Sequence, residues 1–387
     1  MLFKISKKTE TSLHKRKSFW STFKNAYLRR KDLRKFWSTL NKKNIPPELV
    51  EITELFIKSE SYNWTSKFWR HNIINHYSYI NSLDNNIDPL HTILRTDYSG
   101  LTFLDEFSID DNLKNNQSLS EFKNHYLNKY PEVINTFHEG ISQQKSIDHN
   151  IALINLYEKI KSEKFKEDYE KIEKGIYKKY NPCIEIEKTL LSQHLLISLT
   201  EYYKIKKLFS DSKKKMNFLE LGAGYGRTAN LILSMEKNCK YVIADLPASI
   251  YFSLKNLREF FKHKKIATAF NINNQNDIRK AFDNNDVLFI FPHQLNLLDN
   301  KIFDISISIG NLCEMEKAQI KKYMEIFEKK SNFLYFKVWE ISGLPYSFYQ
   351  YYSIHNSQDY EIKKKWKEHF KSRCLMPNNQ FDLGYEF

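Results

Sequence analysis

The sequence predicts an α/β protein in which a doubly wound, mainly parallel sheet follows a mainly helical N-terminal region. After Lys215, short apolar runs alternate with helical segments, as in parallel sheets covered by helices on both faces. Before Tyr180, apolar residues follow helical spacing instead. We therefore divide the 387 residues into a basic aromatic arm over residues 1–46, a helical accessory or substrate domain over 47–180, and an α/β domain over 181–387.

The positive charge is concentrated at the N-terminal end. Residues 1–43 contain 14 basic and two acidic residues, a net charge of +12 out of +14 for the whole chain. The rest of the sequence is nearly neutral, so the arm is the candidate for contact with an anionic partner.

Aromatic residues in the arm recur at helical spacing and predict two helices. The sequence FWST occurs at residues 19–22 and again at 36–39, and a third FW pair follows at Phe68–Trp69. These helices either pack on their own domain, or lie on an anionic membrane or near a lipid-linked substrate through residues 1–43. Nucleic acid is a third partner, which we do not favour because the charge is confined to one end. The recurring residues are Phe19, Trp20, Phe23 and Tyr27, then Leu33, Phe36, Trp37 and Leu40.

The region from Glu48 to Tyr180 shows helical patterns and no chemical motif, so a lid or substrate-recognition role is expected from its position alone. Loops are predicted over 81–89 and 108–118. An apolar run from Ile184 to Phe209 predicts one further helix, which carries His194. The helices predicted before it are Phe56–Ile80, Leu119–Phe137 and Ile151–Tyr177.

Five apolar runs after Lys215 predict the strands of the sheet. Helices are expected between them, at Thr228–Glu236, from Pro247 onward and at Met315–Phe327. Residues 265–282 are expected to form an insertion before the third strand. The five strands are Met216–Leu221, Lys240–Asp245, Asp286–Pro292, Phe303–Ile309 and Phe333–Trp339.

The turn after the first of these strands carries three glycines, in the sequence FLELGAGYGRT at residues 218–228. It lacks the Gly-Lys-Ser/Thr ending of a phosphate-binding P-loop. It also departs from the G-x-G-x-x-G pattern of nicotinamide dinucleotide sites, because Arg227 stands where the third glycine belongs. A turn of this kind lets a backbone approach a ligand closely.

Two acids accompany the turn. Glu220 precedes the first glycine, and Asp245 ends the second strand, so both lie at carboxyl ends of strands, where open α/β sheets bind ligands. One acid can hold an ammonium group and the other can accept two ribose hydroxyls. This combination fits S-adenosylmethionine, which has both groups and no pyrophosphate.

The segment from Met216 to Trp339 resembles the class I S-adenosylmethionine-dependent methyltransferases, with their Rossmann-like sheet. More narrowly, GAGYGR at 222–227, ADLP at 244–247 and NLCEM at 311–315 are similar to a bacterial family of sugar O-methyltransferases. The resemblance implies transfer of a methyl group to a sugar hydroxyl of a cell-surface glycan or its lipid-linked precursor.

The resemblance also implies which residues line the cofactor. The turn and the first two strands supply most of them, and the ends of the third and fourth strands complete the site, with Pro292 and Gly310 beside the named residues. The cofactor-binding residues implied are Glu220, Gly222, Ala223, Gly224, Gly226, Asp245, Leu246, His293, Gln294 and Asn311.

A sugar hydroxyl is a weak nucleophile, so a side chain must accept its proton as the new bond forms. The candidates are Glu314, His293 and His194. Glu314 is also placed to cap the helix that follows it, His293 to contact the adenine, and His194 to be a core histidine with an internal hydrogen bond.

No cluster of acids, histidines or cysteines predicts a metal site, and four widely spaced cysteines predict no disulfide framework. With no apolar run of membrane-span length, we expect a cytoplasmic protein, with peripheral contact at the inner membrane face if the arm binds lipid. Two other functions stay open: a nucleic-acid methyltransferase and a non-catalytic binding protein of the same fold.

Overall fold

An eight-stranded sheet forms the centre of the molecule in the computed structural model, which describes residues 32–82, 119–138, 142–209, 215–339, 342–344, 353–355, 360, 362–376 and 380–387. The strand order is β11-β12-β8-β7-β3-β4-β6-β5. All neighbouring strands are parallel except the pairs β8–β12 and β12–β11. The strands are β3 Met216–Leu221, β4 Cys239–Ala244, β5 Ile266–Thr268, β6 Val287–Ile290, β7 Phe303–Ile309, β8 Ser331–Trp339, β11 Lys367–Arg373 and β12 Gln380–Glu386.

The direction of strand addition reverses at β3. The chain continues from β3 to β4 on one side, and β7 pairs with β3 on the other. Open α/β sheets bind ligands at such a switch point, outside the carboxyl ends of the strands.

Helices cover both faces of the sheet because neighbouring residues of a strand point to opposite sides. On β3, Phe218 belongs to one buried apolar cluster and Leu219 to the other. The helices along the second half of the chain are α10 Gln193–Leu208, α11 Arg227–Met235, α12 Pro247–Phe260, α13 Gln275–Asn284 and α14 Lys317–Lys330.

The N-terminal region is helical wherever it is described. One of its helices, α2, packs against α12 of the sheet layer, and the apolar core on that face includes residues of both regions. The boundaries at 46 and 180 remain predictions, and they do not separate two cores. The helices of this region are α1 Leu33–Thr39, α2 Pro47–Lys58, α3 Ser61–Trp64, α4 Lys67–Ser82, α5 Leu119–Lys129, α6 Pro131–Ile134, α7 Gln143–Ile160, α8 Glu163–Lys171 and α9 Gly175–Tyr180.

The second aromatic repeat of the arm belongs to the core. Phe36 and Trp37 are buried in α1, and the Trp37 ring lies 4.9 Å from that of Tyr77. These aromatic rings therefore face the protein's own interior, as the first interpretation of the arm expects. The first repeat, at residues 19–27, lies outside the described residues, as do residues 83–89 and 108–118 of the predicted loops.

The prediction of one helix over Ile184–Phe209 is wrong at its start. Residues Cys183–Ile186 (β1) and Thr189–Ser192 (β2) form an antiparallel hairpin, and α10 begins only at Gln193. The turn residues Glu187 and Lys188 have φ of 50° and 67°. The sequence shows no hairpin signal because such turns usually carry Asn or Gly.

Two further features of the sheet were missed. The predicted insertion contains β5, a three-residue strand at the edge of the sheet. The last 20 or so residues supply β11 and β12, which extend the sheet beyond β8. A short hairpin of β9 Ser342–Leu344 and β10 Ser353–His355 lies between β8 and β11 in the chain.

Candidate ligand-binding site

The glycine turn joins β3 to α11 through three residues in the left-handed backbone region. Gly222, Gly224 and Gly226 have φ of 79°, 59° and 92°. Side chains other than glycine rarely adopt this conformation, so the glycines are required by the path of the backbone.

Gly222 also has a steric reason to lack a side chain. A Cβ on it would lie 2.1 Å from Oδ1 of Asn311. The Asn311 amide is held in place by hydrogen bonds from Nδ2 to the carbonyl oxygen of Leu221 and, at 3.3 Å, to Oγ of Ser308. Asn311 thus ties the carboxyl end of β7 to the start of the turn.

Asp245 connects the end of β4 to the glycine turn. Its Oδ2 accepts from the N–H of Gly224 at 3.0 Å, and its Oδ1 accepts from the N–H of Leu246 at 2.7 Å. Burial raises the pKa of Asp245 to about 7, although these backbone bonds favour the charged form. A buried carboxyl group on a cavity wall suits a ligand that donates hydrogen bonds.

Glu220 is the second buried carboxyl group. Tyr241 OH donates to its Oε2 at 2.9 Å. Burial raises the pKa of Glu220 to about 7 as well, while this hydrogen bond and the nearby Arg227 act in the opposite direction. A cationic ligand group would therefore stabilise its ionised form.

A cavity of about 310 Å³ lies over these residues at the carboxyl ends of β3, β4 and β7. The structure thus brings together most residues that the sequence predicted to bind the cofactor. Predicted residues on its wall are Glu220, Gly222, Ala223, Gly224, Asp245, Leu246, Pro292, Gly310, Asn311 and Glu314.

Gln294 and His293 are not part of this wall, in contrast to the prediction. Gln294 is fully buried, and its amide serves the backbone, with Oε1 accepting from Phe291 N–H and Nε2 donating to the carbonyl oxygens of Ala269 and Ile272. His293 bonds to Ser61 through Nδ1 at 2.7 Å. Their side chains fix the 3-10 turn after β6, which the strand pattern could not reveal.

His194 and Gly226 also lie away from the cavity wall. Nδ1 of His194 is 2.7 Å from the hydroxyl of Tyr225, on the inner side of the glycine turn. Burial lowers the pKa of His194 to about 3. The alternative of a core histidine with an internal hydrogen bond thus describes it better than that of a base. A Cβ on Gly226 would lie 3.2 Å from that of Ser253, so this glycine packs the turn against α12.

Glu314 lines the cavity, and the following helix is capped by a different residue. Glu314 belongs to a 3-10 turn, Leu312–Glu314, that directly follows β7. The N-cap of α14 is Glu316, which forms a reciprocal capping box with Gln319. Glu316, and not Glu314, therefore caps this helix.

The N-terminal helices supply part of the wall, which the sequence pattern did not predict. Trp69 belongs to the third FW pair, and the repetition of this pair was the feature of the sequence that could have indicated its place on the wall. From α14, residues spaced by four, such as Gln319 and Tyr323, complete the wall. Further wall residues that the sequence analysis did not assign to the site include Trp64, Thr65, Ser66, Trp69, Arg227, Met315, Gln319 and Tyr323.

The segment Ser61–Trp69 is fastened to the sheet at two points. The Ser61 hydroxyl accepts from the N–H of His293 at 3.0 Å and forms a second hydrogen bond, of 2.7 Å, with Nδ1 of the same residue. Nε2 of Gln319 donates to the carbonyl oxygen of Trp64 at 2.7 Å. The N-terminal region therefore has a defined position over the cavity.

Among the described residues, no group of three His, Cys, Asp or Glu side chains could hold a metal ion. Among the described helices, none is long and apolar enough to cross a bilayer.

The sequence matches no protein-family profile and no curated protein. Solved structures that are similar to about half of the chain include three methyltransferases. Magnesium protoporphyrin IX methyltransferase from Synechocystis, with bound S-adenosylhomocysteine, is 11% identical over 50% of this chain and 85% of its own, with a TM-score of 0.35. An S-adenosylmethionine-dependent methyltransferase from Clostridium acetobutylicum is 9% identical over 58% and 98%, with a TM-score of 0.34.

A geranyl diphosphate C-methyltransferase from Streptomyces coelicolor is 11% identical over 50% of this chain and 80% of its own, with a TM-score of 0.35. These values are low, so the fold assignment depends on the strand order and direction of the sheet itself. The predicted fold class, a Rossmann-like doubly wound sheet after a mainly helical region, is confirmed.

Proposed function

We propose that this protein is an S-adenosylmethionine-dependent methyltransferase. The observation that carries the proposal is the bond between Asp245 and the N–H of Gly224, which joins the acid at the end of β4 to the glycine turn beside one cavity. The wall fits this cofactor in three respects: a turn without side chains, a carboxyl group for the ribose hydroxyls and a second one for the ammonium group.

Each residue of the wall has a defined task in this proposal. Asp245 accepts the two ribose hydroxyls, and Glu220 accepts the ammonium group. Gly222 and Gly224 let the backbone lie against the ligand. When bound, S-adenosylmethionine supplies an electrophilic methyl group on a sulfonium.

We further propose a sugar hydroxyl of a cell-surface glycan or its precursor as the methyl acceptor, which makes the protein an O-methyltransferase. Supporting this, Trp64, Thr65, Ser66 and Trp69 together form part of the cavity wall. The apolar C–H face of a pyranose packs well on an indole ring, and its hydroxyls need polar partners. Glu314, which also lines the cavity, accepts the proton of the reacting hydroxyl.

Calorimetric titration of the full-length protein with S-adenosylhomocysteine tests the cofactor proposal. Asp245→Asn should weaken binding by roughly 10- to 100-fold, since a hydrogen bond to a charged group contributes about 1.5–3 kcal/mol. Glu163→Gln is the matched control, because Glu163 is exposed on α8, pairs with Lys166 and is not on the cavity wall. Binding of NAD(H) in place of S-adenosylhomocysteine would contradict the proposal.

The acceptor is tested by incubation with labelled S-adenosylmethionine and either extracted surface glycans or total nucleic acid. Label in the glycan fraction, located by linkage analysis, supports sugar O-methylation. Label in RNA or DNA would overturn the acceptor while keeping the cofactor. Binding without transfer to any acceptor would favour a non-catalytic protein of this fold.

A further inference from the structure

Arg227 lies directly after the glycine turn, as the first residue of α11, and lines the same cavity as Glu220. Its guanidinium forms two bonds to the carboxylate of Glu201, at 2.6 and 3.1 Å, and one to the hydroxyl of Ser198 at 2.8 Å. These bonds use three of the five N–H donors of an arginine.

Two cations share the carboxylate of Glu201. Glu201 also accepts a hydrogen bond from Nζ of Lys337 at 3.1 Å. Burial alone would raise the pKa of Glu201, but Arg227 and Lys337 outweigh it and lower the pKa to about 2. Two further buried carboxyl groups belong to this cluster: Asp382, which pairs with Lys204 and raises the pKa of Lys337, and Glu220, which interacts with Arg227.

A buried guanidinium is costly unless its N–H donors find acceptors. Because Arg227 borders the cavity and has two N–H donors beyond these three bonds, an anionic group of a bound ligand is well placed to accept from it.

The cavity wall therefore has an acid and a guanidinium on either side of the glycine turn. Glu220 precedes the turn and Arg227 follows it, and both line the cavity. A pair of opposite charges on one cavity wall suits a zwitterion, namely the ammonium and carboxylate groups of an α-amino acid.

We propose that Arg227 binds the carboxylate of the amino-acid part of the ligand while Glu220 binds its ammonium group. The inference builds on the proposed function, since S-adenosylmethionine has an amino-acid part and nicotinamide dinucleotides have none.

The test compares two ligands, S-adenosylhomocysteine and 5′-methylthioadenosine, which shares the thioether nucleoside but lacks the amino-acid part. Calorimetry is carried out on the full-length wild type, Arg227→Gln and Arg227→Lys. Arg227→Gln should weaken S-adenosylhomocysteine binding by roughly 10- to 100-fold and leave 5′-methylthioadenosine within about threefold of the wild type.

Arg227→Lys keeps the positive charge. Its affinity for S-adenosylhomocysteine should fall less than that of Arg227→Gln, and its affinity for 5′-methylthioadenosine should not change. This variant also provides the test if Arg227→Gln does not fold. Arg279→Gln is the matched control: it removes an exposed guanidinium of α13 that pairs with Asp283 and Asp299 and is not on the cavity wall, so the ratio of the two affinities should stay that of the wild type.

Equal losses for both ligands in the Arg227 variants, or no loss for either, would overturn the inference and leave the proposed function standing. A wild type that binds neither ligand would overturn both. A wild type that binds 5′-methylthioadenosine as tightly as S-adenosylhomocysteine would also overturn the inference, because the amino-acid part would then add nothing.

Discussion

At the residue scale, the three glycines of the turn are needed for different reasons. Gly222 meets the side chain of Asn311, Gly226 packs near Ser253, and a Cβ on Gly224 would have no neighbour within 4 Å. Only the positive φ angle is common to all three. Replacements by alanine should therefore differ in cost.

Gly222→Ala should destabilise the protein by about 2–5 kcal/mol, the sum of backbone strain and a forced shift of Asn311. Gly224→Ala is the matched control and should cost only about 1–2 kcal/mol, from strain alone. Thermal and denaturant unfolding of both variants measure the difference.

The double variant Gly222→Ala/Asn311→Gly removes the clash but keeps the strain. The double variant should therefore lose less free energy of unfolding than the sum of the losses of the two single variants. Equal costs for the two alanine variants would show that contact with Asn311 is unimportant.

At the element scale, the cavity depends on α3, a helix of only four residues. Such a short helix has little stability of its own, because nucleating a helical turn is unfavourable. Its position is set by contacts with distant elements, chiefly the bonds from Ser61 to His293 and from Gln319 to the carbonyl oxygen of Trp64.

Ser61→Ala should loosen α3 from the 3-10 turn that carries His293. Two hydrogen bonds of about 1 kcal/mol each are lost, so amide exchange in residues 61–69 should rise by roughly 10-fold or more. Ser38→Ala, in which an exposed hydroxyl bonded only to the backbone of its own helix is removed, is the control.

Exchange rates measured by mass spectrometry give the readout for this element. Unchanged protection of residues 61–69 would mean that apolar packing, and not the Ser61–His293 pair, fixes the wall of the cavity.

At the scale of the whole molecule, the two buried carboxyl groups link stability to pH. Burial raises the pKa of Glu220 from its ordinary 4.5 to about 7, so the folded state holds a proton that the unfolded state releases. The contribution of this bound proton to the free energy of unfolding is fully present below pH 4.5 and is lost as the pH rises through 7.

Glu220→Gln should remove this dependence, because an amide does not titrate. As the pH rises from 5 to 8, the thermal midpoint of the wild type should therefore fall relative to that of the variant. The corresponding change in the difference between their free energies of unfolding should approach about 3 kcal/mol. Differential scanning fluorimetry across this range makes the comparison.

Glu163→Gln, at an exposed surface position, is the control and should run parallel to the wild type. If the thermal midpoint of Glu220→Gln also ran parallel to that of the wild type, the Glu220 carboxyl group would be as well solvated in the folded as in the unfolded wild-type protein.

The sequence by itself determined the α/β core, the glycine turn and the two acids of the site. Strand and helix periods, φ requirements and strand-end positions are local properties, so they are visible along the chain. Phe303–Ile309 was predicted with its observed bounds, and Asp245 was expected at the end of β4.

Only the tertiary structure decided which side chains face the cavity. The Gln294 side chain is hydrogen-bonded to the backbone, and that of His194 to the hydroxyl of Tyr225. Trp64 and Trp69 line the cavity although they lie more than 150 positions before the glycine turn in the sequence. These outcomes depend on packing between elements distant in sequence, and no local pattern encodes where two such elements meet.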